Sequence, residues 1–253
     1  FGKLLIAAGG SPAPWKINGG DSDRVLRLQT IEDADRAHEM LPRLVSERKP
    51  ALIVGGGFIS LEFLESAFAY GYESKLFLRD KRLFGNQIDE EGWNILVEHY
   101  ARHRVTIHPE TEIKYLEPQE DGSLVAFTSA NEKVAGAWVG AGIGIKRNVS
   151  PFQGVGLDVG TGIRVNQYLE SSLPHVWAAG DAAEYYDVIS NEYVVVGNWT
   201  SAFLQGRVAG TNMAAKSSEE RMELRAVPTY SITHLGNHIT FLGKTLFDRI
   251  HDG

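Results

Sequence analysis

The chain has 253 residues with no cysteine, 27 glycines, 9 prolines and a formal net charge of -7. Its 43% hydrophobic and 23% charged content supports a buried core and excludes a disordered tail, while zero cysteine excludes a disulfide framework, a thiolate zinc site or a redox dithiol in this stretch. The mildly acidic balance argues against a nucleic-acid partner, which would require a basic face, and no apolar run reaches the ~18 residues of a membrane span. Phe1 leads straight into a strand-like run with no legible signal peptide. The expectation is the interior of a longer, cytoplasmic protein.

Lys3 to Gly10 is a short apolar run ending in glycines, the pattern of a strand buried on both faces that feeds a tight turn. Ser11 to Leu28 has no periodicity and carries Pro12, Pro14 and Gly19-Gly20, so it reads as a connection. Thr30 followed by Asp33 predicts a capping box that opens a helix, and Lys49-Pro50 closes it. Ala51 to Val54, the Gly55-Gly56-Gly57 turn, a helix from Phe58 to Tyr70 and a strand at Lys75 to Leu78 then form a βαβ unit. A helix starting near Asp89 and a strand at Val105 to Ile107 follow. From Glu112 the runs shorten and alternate around Asp121-Gly122 and Asn131-Glu132, the signature of a small antiparallel meander. Ala137 to Ile145 returns as one apolar strand, Val176 to Asp181 as another, and Thr200 to Ala214 as a helix. Ser217 to Arg225 is charged and linker-like, and Tyr230 to Thr245 alternates as antiparallel strands do.

The chemistry concentrates in Gly55-x-Gly57-x-x-Ser60, between a strand and a helix. The first glycine permits the turn, the second lets backbone approach a pyrophosphate, and the third position needs a small residue for close helix–strand packing. Ser60 is small but is neither Gly nor Ala. The helix start at Phe58 and Ile59 would present N–H groups and a positive dipole end to phosphates. At the end of the second strand, where a carboxylate would take the 2′-hydroxyl of NAD, stands Leu78, followed by Arg79-Asp80-Lys81-Arg82. Arg79 and Arg82 suit a 2′-phosphate, hence NADP over NAD; the other reading is a solvated charged turn partly neutralised by Asp80.

Four motifs in order resemble the two-dinucleotide-domain flavoprotein reductases, the family of glutathione reductase, ferredoxin reductases and apoptosis-inducing factor. Leu4 to Gly10 resembles the segment crossing from the FAD domain, with Ala8 in place of threonine beside Gly9. Gly55 to Glu65 resembles the family's glycine turn, in which the glutamate matching Glu62 lies near the nicotinamide and flavin rings. Gly142-Ile143-Gly144 followed by Asn148 resembles the return strand, with Arg147 in place of proline. Val176 to Asp181 resembles the strand whose Gly180-Asp181 turn holds a ribityl hydroxyl of FAD, and the helix start at Asn198 and Trp199 would face the flavin's pyrimidine edge.

The resemblance implies an α/β fold: a Rossmann-like three-layer NAD(P)-binding domain with an antiparallel meander, inserted in a partial FAD-binding domain. Its divisions would be residues 1–28 (flavin-domain fragment and linker), 29–145 (NAD(P) domain), 146–226 (rear of the flavin domain) and 227–253 (start of an interface domain). It implies hydride transfer from NADP or NAD to FAD and on to an acceptor, whether a small molecule, a disulfide or a redox protein, with a homodimer left open. The alternative is a redox-sensing scaffold like apoptosis-inducing factor, with slow NADH oxidation. His99 and His103, four apart on a helix, read as exposed histidines rather than metal ligands, and no metal is expected. Tyr185 and Tyr186 read as flavin shields or as packing residues.

Overall fold

A computed structural model describes residues 2–243. Contacts divide the chain into two units, one holding residues 12–144 and 233–239, the other 2–11, 145–232 and 240–243. Strands β1 (Leu4–Ile6) and β2 (Gly10–Pro12) open the chain.

The larger unit is built on a five-stranded parallel sheet in the order β3-β10-β4-β5-β6. Its strands are β3 (Val25–Leu26), β4 (Ala51–Val54), β5 (Ser74–Phe77), β6 (Val105–His108) and, after the meander, β10 (Trp138–Ala141). Helix α1 (Ile31–Leu44) starts at the expected capping box, with Thr30 and Asp33 bonding each other's backbone N–H. It carries Pro42 in its last turn, tightens into a 3-10 turn at Val45–Glu47 and stops at Arg48 in the left-handed region, φ 52°. Helices α2 (Phe58–Ala69) and α3 (Glu90–Arg102) follow as expected.

Alternation along the strands separates the two faces of the sheet. On one face Trp138 packs its ring 6.0 Å from that of Phe63 of α2, and a Cβ at Gly140 would lie 2.6 Å from the Phe63 ring. Leu61, Phe63, Leu64 and Ala67 of α2 are all buried, and each leucine so placed contributes roughly 1.5–3 kcal/mol. On the other face Leu52, Val54, Phe77, Val139 and Ala141 meet Ile113, Leu116, Leu124, Ala126 and Val134 of the meander. The meander is β7 (Ile113–Pro118), β8 (Leu124–Thr128) and β9 (Lys133–Gly136), antiparallel in that order. Helix, parallel sheet and meander make the three layers.

Two expectations for this unit are corrected. Val25 and Leu26, expected in a connection belonging to a 1–28 fragment, form the buried edge strand β3 and group with the larger unit. A two-residue strand is too short to show a period, and its place is decided by pairing with β10, where Val139 N–H donates to the Arg24 carbonyl at 2.8 Å. The run Ala137 to Ile145 is not one strand: it breaks at Gly142-Ile143-Gly144, with Gly144 at φ +90°, and resumes as β11 (Ile145–Arg147).

In the smaller unit β1 pairs in parallel with β13 (Val176–Ala178), and β2 pairs with β11. Strands β12 (Ile163–Val165), β14 (Ala183–Asp187) and β15 (Glu192–Val194) form a second sheet, order β12-β14-β15, and helix α4 (Trp199–Ala214) completes the core with Val208 and Ala209. Residues 217–225, expected as a linker, are fastened down. Buried Asn212 donates to the carbonyls of Tyr168 and Met222, each at 2.9 Å, and accepts from Met222 N at 2.7 Å. Leu224 is buried beside them. The charges that look like a linker in sequence engage neighbours: Arg221 lies over the Tyr168 ring at 3.9 Å and pairs with Glu170.

The last described elements, β16 (Thr229–His234) and β17 (Asn237–Leu242), form the expected hairpin. The rest of the expected 227–253 segment, from Lys244 onward, lies outside the described residues.

Candidate functional site

In the larger unit the βα turn closes on itself around three small residues. Gly55 has φ +111°, and a Cβ there would lie 2.2 Å from the Gly142 carbonyl oxygen. A Cβ at Gly142 would in turn lie 2.3 Å from Ser60 Oγ and 2.7 Å from Ser60 N. Ser60 is fully buried, and its hydroxyl lies 3.3 Å from the Val54 carbonyl oxygen and 3.4 Å from that of Gly142. The hydroxyl thus reaches the ends of two sheet strands, which accounts for serine where Gly or Ala is expected.

Gly57, the N-cap of α2, is extended and provides no side-chain cap, and nothing lies within 4 Å of where its Cβ would be. The start of α2 is therefore open above Gly57, a cradle that suits a pyrophosphate on a helix N-terminus. Phe58 is braced against Phe84, ring centroids 4.8 Å apart, while Phe84 N–H donates to the Gly56 carbonyl at 2.7 Å. Glu62, one turn further, has an exposed side chain. Partial desolvation by the surrounding protein, with the Glu65 carboxylate adding to it, raises its carboxyl above the usual range.

At the end of β5 Leu78 is buried, so no carboxylate stands there. The Arg79 side chain is 78% exposed, with Nε 3.7 Å from Asp80 Oδ1, and is free to turn towards a ligand. Arg82 is committed differently: Nη1 donates to the Ile88 carbonyl at 3.2 Å and holds the following loop. The two arginines do not act as a pair in this conformation. Gly144, where the return strand ends, is left-handed with open space at its Cβ position.

The smaller unit assembles the other predicted residues. The carbonyl of Ala8 accepts from Asn148 Nδ2 at 2.9 Å and that of Gly9, at φ +60°, from Asn148 N at 3.0 Å. Gly180, at φ +74°, donates its N–H to Gln205 Oε1 at 2.8 Å, and Gln205 Nε2 donates to Ser201 Oγ at 2.9 Å. The Asp181 carboxylate lies beside Gly197, 3.6 Å from a Cβ built there. Asn198 caps α4 by accepting from Ser201 N at 2.8 Å, and Trp199 stands 94% exposed at the first helical position. Gln205 was not singled out from the sequence. Its only signal there is a polar residue four places after Ser201 on an apolar helix.

The histidine reading is corrected. His99 and His103 are half-buried, with ring centroids 4.3 Å apart and His103 Nδ1 2.8 Å from the His99 carbonyl oxygen. Buried His234 sits beside them on Tyr100, its Nδ1 3.3 Å from the Glu65 carboxylate. The hairpin brings this third imidazole from far along the chain. Among the described residues no group of three such side chains is arranged to hold a metal. Tyr185 is buried within β14, and Tyr186 packs edge-on against Tyr193.

A parallel sheet with a glycine turn into the first crossover helix, and a second set of glycine turns in the other unit, define a Rossmann-like dinucleotide-fold protein. The chain belongs to the pyridine nucleotide-disulphide oxidoreductase family, which it matches over residues 1–206. It is 30% identical over 247 residues to apoptosis-inducing factor 3 of Mus musculus, covering 96% of this chain and 39% of that protein. It is 31% identical over 215 residues to a CoA-dependent NAD(P)H sulfur oxidoreductase of Pyrococcus abyssi, covering 84% of this chain and 47% of that one. A ferredoxin reductase structure from Rhodopseudomonas palustris shares the fold, with TM-score 0.85 at 21% identity over 95% of this chain and 57% of that one. The chain spans less than half the length of the two curated relatives. Among the described residues no helix is long and apolar enough to cross a membrane.

Proposed function

We propose that this chain is the pyridine-nucleotide domain, with adjoining flavin-domain elements, of an FAD-dependent NAD(P)H oxidoreductase. The observation that carries the reading is the uncapped first turn of α2 opening over Gly57, behind a βα turn sealed by Gly55, Ser60 and Gly142. When bound, the flavin would accept hydride from the reduced nicotinamide and pass electrons to an acceptor.

The chain's own residues supply binding and orientation. Gly57, Phe58 and Ile59 would receive the pyrophosphate, and Arg79 the adenosine end. Gly144, at the end of the return strand, would border the nucleotide, and Glu62, on the next turn of α2, would border the nicotinamide. Ala8, Gly9, Gly180, Asp181 and the start of α4 at Asn198 and Trp199 would hold the flavin's ribityl and pyrimidine parts. The acceptor would be a small molecule, a disulfide or a redox protein, and the protein would assemble as a monomer or a homodimer.

Mixing the full-length flavoprotein anaerobically with NADPH or NADH should bleach the flavin absorbance within the dead time to seconds. Failure of both nucleotides to reduce it would overturn the reading. Similarity to apoptosis-inducing factor 3 over 96% of the chain supports a second reading, a redox-sensing scaffold. That reading expects slow turnover with every acceptor and a nucleotide-dependent change in oligomer size by light scattering.

A further inference from the structure

The end of β5 lacks the carboxylate that would take a ribose hydroxyl, because Leu78 is apolar and buried there. The fold brings one in from the connection that follows the neighbouring strand β6. The segment after β6 is stapled to this strand end by two backbone hydrogen bonds, Thr111 N–H to the Leu78 carbonyl at 2.7 Å and Glu110 N–H to the Asp80 carbonyl at 3.2 Å. Glu112 follows at once, its own N–H donating to Ser129 Oγ at 3.0 Å, so its backbone is held from both sides. Its side chain is 48% exposed and accepts from Lys114 Nζ at 2.6 Å. Lys114 first, and Arg79 further off, hold the Glu112 carboxyl below the usual range, so Glu112 feels the same arginine that the sequence marks for a 2′-phosphate. The rim therefore sets Arg79 and Lys114 against Asp80 and Glu112.

We propose that Glu112 is a coenzyme-selecting residue: from the connection between β6 and β7, fastened to the strand end at Leu78, it accepts the ribose 2′-hydroxyl of NAD and opposes the 2′-phosphate of NADP. Arg79 and Lys114 pull the other way, so the rim admits both coenzymes and Glu112 sets their ratio. The inference rests on the nucleotide-site reading above. The chemistry is that of a charge-assisted acceptor against a phosphate carrying roughly two negative charges.

The test titrates NAD+ and NADP+ into the full-length protein and its Glu112→Gln variant at two ionic strengths. Glutamine keeps the side chain's size at an exposed position and removes its charge. NAD+ should bind about tenfold more weakly, the loss of one charge-assisted bond, while NADP+ binds several-fold more tightly, a gain that shrinks at high salt. A Lys114→Met variant, which leaves Glu112 without its counter-charge, should shift the ratio the opposite way, towards NAD+. An unchanged NAD+ to NADP+ ratio in both variants, with both nucleotides still bound, overturns the proposal and leaves the oxidoreductase reading standing. Binding of only one of the two nucleotides to the unsubstituted protein overturns the two-coenzyme rim alone, and failure of both to bind overturns this proposal and the oxidoreductase reading together.

Discussion

The two units solve the same problem, a strand turning sharply at glycine, with opposite tolerances. In the larger unit the turn is sealed: Gly55 and Gly142 each stand where a single added carbon would strike backbone or the buried Ser60. In the smaller unit Gly180 is also left-handed, but the nearest atom to its missing Cβ is Ala202 at 3.7 Å, and Gly9 has nothing within 4 Å. One turn is fixed by packing, the other by a backbone hydrogen bond donated to a side chain, that of Gln205. Packing constraints fail abruptly when violated, whereas a hydrogen-bonded turn over open space fails by increments.

Alanine at the two turns breaks that comparison most directly. Gly55→Ala combines a positive φ with a 2.2 Å approach to the Gly142 carbonyl and should cost about 4 kcal/mol or more. Gly180→Ala incurs only the left-handed backbone penalty, about 1 kcal/mol. Urea midpoints of the two variants would measure the gap, and equal losses would refute the distinction between sealed and open turns.

Acid titration reaches the larger unit by another route. Burial pushes the His234 imidazole down to about 4, with His99 and His103 adding to the effect and Glu65 opposing it. Above the ordinary histidine value both folded and unfolded states hold it neutral. Between that value and about 4 the unfolded chain binds the extra proton, so stability falls as pH falls, at about 1.4 kcal/mol per pH unit from this group. Comparing urea stability from pH 7 to pH 4.5 with that of His234→Gln should show a shallower slope in the variant. The expected effect is smaller for Gln205→Ala. Losing the acceptor for Gly180 N–H should cost about 2 kcal/mol independently of pH in this range, visible as a lower melting temperature.

Much of the architecture is legible because it is written in neighbouring residues. The Thr30–Asp33 capping box, the glycine turn into α2 and the turns at Asp121-Gly122 and Asn131-Glu132 all concern residues within one turn of one another. The elements that escape such reading draw their meaning from distant partners. Val25–Leu26 becomes a strand only beside β10, and the charged stretch around Arg221 becomes ordered only through Asn212 and Tyr168. Arg82 looks equivalent to Arg79 along the chain, yet the loop closing at Ile88 takes its guanidinium. His99 and His103 look solvated until the hairpin brings His234 against Tyr100.

The opening figures, many glycines, no cysteine and a mild negative charge, bound the fold class and, with the glycine motif, mark the βα turn from Gly55 to Ser60. Those are consequences of local backbone sterics and of alternating apolar residues, which act over a few positions. The sequence by itself determined the turn, the helix starts and the family. Tertiary structure alone decided that Ser60 bridges two strand ends, that Gln205 holds Gly180, and that Glu110 and Thr111 fasten the segment before Glu112 to the strand end at Leu78. Each of those pairings joins elements through space by hydrogen bonds or close approach, and no spacing rule along one chain encodes which strand lies next to which.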